Sequence, residues 1–172
     1  VVAEGIKRHP QAVFVVCTGA KRLRSNEPHL LQMLEHYRAT YPKNILLKED
    51  LTKEGYYRQL TFAKIQMNTA DQDFVPLTLL EASVAGCYPI YPYFRSFPET
   101  FGRCPDFMYK RLDLKSAADM VCSILDRNDL WKPDAVKSRS WIHSRFDTSW
   151  LRMLSVMGLY AGHLPGLYEE TR

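Results

Sequence analysis

Short apolar runs alternate with one-sided helical stripes along most of this chain, and that alternation restricts its fold more than any other feature. Short, largely apolar runs of this length are typical of strands in a parallel sheet buried on both faces. The runs are Ala12 to Cys17, Asn44 to Lys48, Ile65 to Thr69 and Tyr88 to Tyr91. Because a helical stripe follows each of the first three runs, the connections are right-handed βαβ units. The sequence therefore predicts an α/β fold, a Rossmann-like parallel sheet flanked by helices.

The helical stripes have recognisable starts and stops. One runs from about Glu27 to Tyr41, and the next begins after Thr52, which is a suitable N-cap. A third spans Pro76 to Ala85, with Gly86 as its stop. Further elements are predicted as helices around Ala117 to Leu125, Ala135 to Phe146 and Ser149 to Tyr160, and as a long loop from Pro92 to Pro105.

Composition limits the class of protein. With 172 residues, 46% of them apolar and 12% aromatic, the chain has the material for one folded domain, and we assign residues 1–172 to it. The net charge of +4 suits an anionic ligand and is too small to indicate nucleic acid by itself. No run of 18 apolar residues suggests a membrane span. The opening VVAEGIKRHP is typical of a helix entered midway, not of a signal peptide, so we expect a fragment.

The four cysteines argue against a metal site or a disulfide framework. They lie far apart, with no C-x-x-C pair and no histidine at metal spacing. We expect reduced thiols and a cytoplasmic location. The four are Cys17, Cys87, Cys104 and Cys122.

One turn into a helix carries two carboxylates at the place where α/β sheets bind ligands, beyond the carboxyl ends of the strands. It runs from Asp73 to Glu81, with Pro76 at the start of the helix. A proline there leaves the first amides unpaired, and such a helix start attracts phosphate. We expect the amides of Leu77, Thr78 and Leu79 to be open in this way.

Glu81 falls on the same helical stripe as Leu77, Leu80 and Val84, which predicts that its carboxylate faces inward. A buried carboxylate is costly unless it is hydrogen-bonded or paired. The two hydroxyls of a ribose would satisfy it, and Asp73 could reach a second polyol. Phosphate with a sugar on either side describes a nucleotide-sugar.

Simpler explanations remain open for the same residues. Glu81 could pair with a core arginine or lysine, or lie at the edge of the apolar stripe. Asp73 could only cap the helix, which is the common use of aspartate there. The leucine-rich run by itself indicates only a core helix.

The segment DFVPLTLLEASVAG, from Asp73 to Gly86, resembles the donor-site signature of retaining glycosyltransferases with the GT-B fold. In that signature, two acidic residues lie eight positions apart and a small-residue A-x-x-x-G ending follows. The later GCYPIYP and FPE segments are similar to the subgroup that contains the queuosine-tRNA mannosyltransferases. The resemblance extends loosely over most of the chain, and it implies the carboxyl-terminal, donor-binding half of such an enzyme.

The resemblance implies a role for each matching residue. Glu81 would hold the ribose hydroxyls, and Asp73 would touch hydroxyls of the transferred sugar. The diphosphate would lie on the backbone of Val75 and on the amides of Leu77, Thr78 and Leu79. The strand and loop that end at Gly19 would lie beneath the nucleotide, and Lys48 to Leu51 would frame the base. Lys21, Arg22 and Arg24 follow the first strand and could partly replace the family's cationic residues at the diphosphate, although a solvated charge run is the simpler explanation.

The implied reaction is transfer of a sugar from a nucleoside diphosphate with retention at the anomeric carbon. It needs no metal and no cofactor beyond the nucleotide-sugar substrate. An N-terminal acceptor-binding domain of the same protein would be the partner, so this chain alone is expected to be inactive.

The sequence also departs from the signature. The first acidic residue is an aspartate, Val75 and Pro76 replace a glycine, and the family's phosphate-binding Arg and Lys cannot be placed. Two alternatives therefore stay open. One is a Rossmann-like domain that binds a nucleotide or a protein without catalysis, and the other is a glycosyltransferase acting on a tRNA or DNA base.

Overall fold

The computed structural model describes residues 1–19, 22–23, 27–70, 76–98, 105–127 and 135. Five strands and five α-helices have both of their ends in this part of the chain, and Phe97, Pro98 and Ala135 are helical as well. In order they are α1 (Val2–Arg8), β1 (Phe14–Cys17), α2 (Pro28–Thr40), β2 (Ile45–Lys48), α3 (Lys53–Phe62), β3 (Ile65–Met67), α4 (Leu77–Val84), β4 (Tyr88–Tyr93), β5 (Met108–Lys110) and α5 (Leu114–Asp126). A 3₁₀ turn, Pro105–Phe107, precedes β5.

The strands form two parallel sheets. One pairs β1 with β2, with Phe14 opposite Ile45, and the other has the order β3-β4-β5. The prediction of an α/β fold with parallel strands is confirmed. All four predicted strands are present, β1 to β3 somewhat shorter than predicted and β4 two residues longer.

β5 was not predicted, because three residues following a proline-rich segment give no periodic signal. The predicted loop from Pro92 to Pro105 is wrong at its start, since β4 continues through Pro92 to Tyr93, and at Phe97 and Pro98, which are helical. The predicted helices from Ala135 to Phe146 and from Ser149 to Tyr160 lie outside the described residues, apart from Ala135, which is helical and buried.

β4 is the central strand of its sheet although it contains Pro89 and Pro92, which have no amide hydrogen to donate. At neither position does a neighbouring strand require a donor from β4. Tyr88 donates to Lys64 and Asn68 donates to Ile90, so the even-numbered residues of β4 face β3. Pro89 therefore faces the other side, before β5 begins to pair at Tyr91. Pro92 would face the carbonyl of Asn68, which instead accepts a 2.9 Å hydrogen bond from the Tyr109 hydroxyl.

Side-chain caps begin two of the helices. Thr52 Oγ1 accepts from the Gly55 amide at 3.1 Å, which confirms the predicted N-cap of α3. Asp113 Oδ1 accepts from the Ser116 amide at 2.9 Å at the start of α5. Gly86 follows the C-cap of α4, as predicted, and its φ of +93° is the left-handed conformation that glycine adopts without strain.

The core lies between the three-stranded sheet and its helices. Fully buried side chains include Leu79, Leu80, Tyr88, Ile90, Tyr91 and Phe97. The rings of Tyr91 and Phe97 stack with centroids 5.8 Å apart. The sheet of β1 and β2 is less well covered, since Val15 and Leu46, opposite each other in the register, are both exposed.

Candidate functional site

α4 is the most deeply buried helix of the described chain, and it carries the predicted acidic residue inward. Every residue from Leu79 to Val84 is buried. The prediction that Leu77 shares this inward face is wrong, because its side chain is 56% exposed in the first turn, where the helix projects beyond the core. The prediction that Glu81 faces inward is confirmed, and Glu81 is the only buried carboxylate among the described residues.

α3 provides the partners of this carboxylate. The Tyr57 hydroxyl donates to Glu81 Oε1 at 3.0 Å, and Lys53 Nζ lies 3.8 Å from the same oxygen. The Glu81 side chain is 12% exposed and that of Lys53 is 81% exposed. The sequence left open that Glu81 pairs with a lysine or arginine of the core. The structure agrees only in part, because Lys53, the cation near Glu81, is at the surface.

The charge of Glu81 affects the protonation of both neighbouring tyrosines. Burial, followed by the Glu81 charge, raises the pKa of Tyr57 above its usual value. The pKa of Tyr56 is raised for the same two reasons, in the same order. The hydrogen bond with Tyr57 and the attraction of Glu81 raise the pKa of Lys53. Tyr57 therefore stays a hydrogen-bond donor to Glu81 and Lys53 stays charged over the whole neutral range.

The first turn of α4 offers two amides rather than three. The Pro76 carbonyl accepts from the amides of both Leu79 and Leu80 at 3.0 Å. The prediction that the Leu79 amide is open is therefore wrong, because a 3₁₀-type bond tightens this helix start. Within the described residues, the amides of Leu77 and Thr78 have no recorded acceptor.

The loops that follow β1 and β2 are tied to each other. The Leu51 amide donates to the Thr18 carbonyl at 3.2 Å, and the Leu23 amide donates to Glu49 Oε1 at 2.9 Å. Asp50 between them has a φ of +54°, a conformation that few side-chain-bearing residues adopt. The predicted base-framing segment, Lys48 to Leu51, is thus held in one conformation.

Gly19 lies at the exposed end of β1, and a Cβ placed there meets no described atom within 4 Å. The neighbouring Thr18 Oγ1 is buried and has no hydrogen-bond partner among the described residues. Sequence reasoning missed Thr18, since a threonine after an apolar run gives no signal of its own. It also missed Tyr57 and Lys53, which meet Glu81 only through the tertiary packing of α3 on α4.

Three predicted site residues lie outside the described part of the chain. They are Lys21, Asp73 and Val75.

Two cavities of the described surface include no residue of α4. One of about 530 Å³ runs along α5 and includes Asp113, Asp119 and Arg127, and one of about 430 Å³ includes Lys48, the first residue of the predicted base-framing segment. None of the helices in the described ranges has the length and apolar character needed to cross a bilayer.

No known protein-family profile matches the chain. The chain is 33% identical over 67 residues to a tRNA-queuosine alpha-mannosyltransferase of Drosophila melanogaster. That match involves 39% of this chain and 18% of the Drosophila protein.

Three solved structures share the fold at low sequence identity. TarM of S. aureus, crystallised with UDP among its ligands, superposes with a TM-score of 0.73 at 15% identity, over 90% of this chain and 30% of its own. Sucrose-phosphate synthase from Thermosynechococcus elongatus superposes with a TM-score of 0.70 at 17% identity, over 95% of this chain and 41% of the synthase. The pneumococcal O-GlcNAc transferase GtfA, in complex with UDP and GlcNAc, superposes with a TM-score of 0.67 at 15% identity, over 91% of this chain and 31% of GtfA.

These structures define the fold class. They are GT-B glycosyltransferases, and the chain has the α/β fold of one part of them, so the resemblance found in the sequence is confirmed at the level of the fold. The chain spans less than half of each solved structure and under a fifth of the Drosophila mannosyltransferase.

Proposed function

We propose that this chain is the donor-binding part of a retaining glycosyltransferase, which transfers a sugar from a nucleoside diphosphate to an acceptor. The observation that carries the proposal is Glu81, a buried carboxylate held by one tyrosine and one surface lysine. Among the described residues both contacts are made by Oε1, so we assign Oε2 to a ribose diol. Each hydrogen bond to such a charged group is worth about 1.5–3 kcal/mol.

The diphosphate would lie at the start of α4. The open amides of Leu77 and Thr78 point there, and the helix dipole favours an anion by about 0.3–1 kcal/mol. Leu79 would take no direct part, because its amide is bonded to Pro76. The backbone of Val75 and the Lys21 side chain would complete the phosphate site. Positive groups and amides here stabilise the charge that develops on the departing diphosphate.

The loops after β1 and β2 would hold the nucleoside. Among the described residues, no atom fills the space beside Gly19 and none pairs with the buried Thr18 hydroxyl, so a ligand could approach the backbone there and bond to this hydroxyl. The segment from Lys48 to Leu51, fixed by the bond between Leu51 and Thr18, would frame the base.

Asp73 would bind hydroxyls of the transferred sugar. In the reaction, the bond from the anomeric carbon to the phosphate oxygen breaks, and a bond to the acceptor oxygen forms on the same face. The acceptor proton leaves with a base, which we assign to an N-terminal acceptor-binding domain of the same protein. The chain alone would then bind donor and transfer nothing.

The ligands of the structures that share this fold support a nucleotide-sugar as the ligand. Two of these structures were solved with UDP, and one of them also with GlcNAc.

A nucleic acid is the second candidate, as the acceptor. The relative matched over 67 residues is named for tRNA-queuosine, and a basic-aromatic group follows β4 and β5 in this chain. There the guanidinium groups of Arg95 and Arg111 lie 5.1 and 4.1 Å from the centre of the Phe94 ring. Stacked arginine and phenylalanine are common where proteins bind single-stranded nucleic acid.

Isothermal titration of the full-length polypeptide with UDP-, GDP- and ADP-sugars tests the donor role. We expect one of the nucleotide series to bind and the free sugars not to bind. Failure of every nucleotide-sugar to bind would contradict the donor role and favour the alternative of a domain that binds a protein. A steep fall of RNA affinity with salt would identify a nucleic-acid acceptor, and no RNA binding would indicate a small one.

A further inference from the structure

Lys53, the first residue of α3, holds its ammonium group beside the Glu81 carboxylate. Its Nζ lies 3.8 Å from Glu81 Oε1, and it is the one cation within 4 Å of Glu81 among the described residues. The same nitrogen is 5.7 Å from the centre of the Tyr57 ring. The Lys53 side chain is 81% exposed and that of Glu81 is 12% exposed. In the described part of the chain, a molecule that reaches Glu81 from solvent therefore passes beside Lys53.

A lysine at this position does not help its own helix. The start of a helix carries partial positive charge, so a cation in the first turn is unfavourable there. α3 already has an N-cap, Thr52, and an acidic residue in its first turn, Glu54. The ion pair with Glu81 also adds little stability, because one of its partners is so exposed. The charge of Lys53 is therefore better explained by a ligand than by the fold.

The first turns of α3 and α4 lie against each other. The Tyr56 hydroxyl is 3.5 Å from the Thr78 carbonyl, in the first turn of α4. Thr78 precedes Glu81 by three residues, which is less than one helical turn of about 5.4 Å. Helix side chains lean toward the N-terminus, so the Glu81 carboxylate lies beside that turn. The Lys53 ammonium is thus close to the amides of Leu77 and Thr78, which have no recorded acceptor within the described ranges.

A nucleotide-sugar bound as we propose brings a second negative group to this end of α4. Its diphosphate and the Glu81 carboxylate would repel each other, and more strongly where water is excluded. Two amides and the helix dipole supply only partial positive charge against this. The ammonium of Lys53 supplies a full charge beside both groups. Its flexible four-carbon stem allows the ammonium to move from the carboxylate to a phosphate while the backbone stays in place.

We propose that Lys53 is a diphosphate-binding residue. Its ammonium contacts Glu81 in the free protein, and it contacts a phosphate oxygen once the ribose hydroxyls bind Glu81. The inference rests on the proposed function, because it assigns one more residue to the same donor site. During transfer, the same charge stabilises the diphosphate that departs.

Titration of the full-length polypeptide with a nucleoside and with its diphosphate tests this assignment. The base is the one whose diphosphate binds best, and ligand-observed NMR measures the weaker binding of the nucleoside. Lys53→Met keeps the length of the side chain and removes its charge. We expect it to weaken the diphosphate at least about fivefold and the nucleoside less than about twofold, because only the diphosphate carries the charge that Lys53 contacts. Lys53→Arg should restore most of the lost affinity.

Arg58→Met is the matched control, since it removes one positive charge from the same helix. Arg58 lies about 140° around α3 from Lys53, and it is paired with Glu54 at 3.5 Å. We expect this variant to bind both ligands like the unchanged protein. The urea midpoint of Lys53→Met should change little, which shows that the loss of affinity is not a loss of folding.

Each other outcome has a distinct meaning. Equal losses for the nucleoside and the diphosphate would mean that Lys53 acts only on the ribose, through Glu81, and would overturn the inference. Unchanged diphosphate affinity in Lys53→Met would also overturn it and would leave the proposed function intact. If the unchanged polypeptide binds neither ligand, the proposed function fails, and the role of Lys53 fails with it.

Discussion

The Tyr57 hydroxyl donates a 3.0 Å hydrogen bond to Glu81 Oε1 and thereby joins the amino-terminal half of α3 to α4. These two residues lie 24 positions apart, and both helices begin after the carboxyl end of a strand. The bond holds one oxygen of the carboxylate in place. The donor site we propose depends on this orientation.

Tyr57→Phe should destabilise the fold by about 1–3 kcal/mol, because it removes a donor from a buried carboxylate. Urea unfolding measures the change. Tyr56→Phe is the matched control, since its hydroxyl reaches the Thr78 carbonyl only at 3.5 Å, and it should cost less. Equal losses of unfolding free energy in the two variants would mean that the hydrogen bond to Glu81 stabilises the fold no more than the Tyr56 hydroxyl does.

Tyr109→Phe should cost about 1–3 kcal/mol of unfolding free energy. The Tyr109 hydroxyl satisfies the Asn68 carbonyl, to which Pro92 cannot donate. Thermal and urea unfolding both measure this, with Tyr37→Phe on exposed α2 as the control. If Tyr109→Phe is as stable as the control, the carbonyl has another donor.

Thr52→Ala should destabilise α3 by about 1 kcal/mol, because its hydroxyl caps the Gly55 amide. Thr52→Ser keeps the hydroxyl and should restore most of the loss. The two variants are compared by urea midpoint. A serine variant as unstable as the alanine one would point to the lost methyl group instead of the cap.

Stability should fall as the pH rises above about 10, the usual pKa of tyrosine. The pKa values of Tyr56 and Tyr57 are raised in the folded chain, so above that pH the unfolded chain releases protons that the folded chain retains. The stabilisation that comes from a raised pKa is fully present at lower pH and is lost as the pH rises. The pKa of Lys53 is also raised in the folded chain, so loss of its proton lowers stability in the same direction.

Urea midpoints between about pH 8.5 and 11 measure this dependence. The decline should be shallower in Tyr57→Phe, which removes one of the shifted groups. Stability that increases over this range would contradict the assigned environment of the tyrosines.

Much of the fold could be predicted because its signals are local. The run AVFVVC before a glycine, the Thr52 cap and the Gly86 stop each act within a few residues. The extension of β4 through Pro92 could not be predicted, since it depends on a hydroxyl from Tyr109, 17 positions later. The three-residue β5 forms only because β4 is beside it.

The site was predicted in part, for a similar reason. Helical spacing placed Glu81 inward, but spacing alone could not show that Leu77 projects beyond the core. Nor could it show that Pro76 accepts from the Leu79 amide, or that Tyr57 and Lys53 would reach Glu81 from another helix.

The affinity of the Glu81→Ala variant for nucleoside diphosphates tests the central claim most directly, measured by titration beside Glu35→Ala, which removes an exposed carboxylate on α2. With circular dichroism showing that both variants fold, Glu81→Ala should bind at least tenfold more weakly, about 1.4 kcal/mol, and Glu35→Ala should bind like the unchanged protein. Equal affinity in Glu81→Ala and the unchanged protein would contradict the assignment of this carboxylate to the ribose.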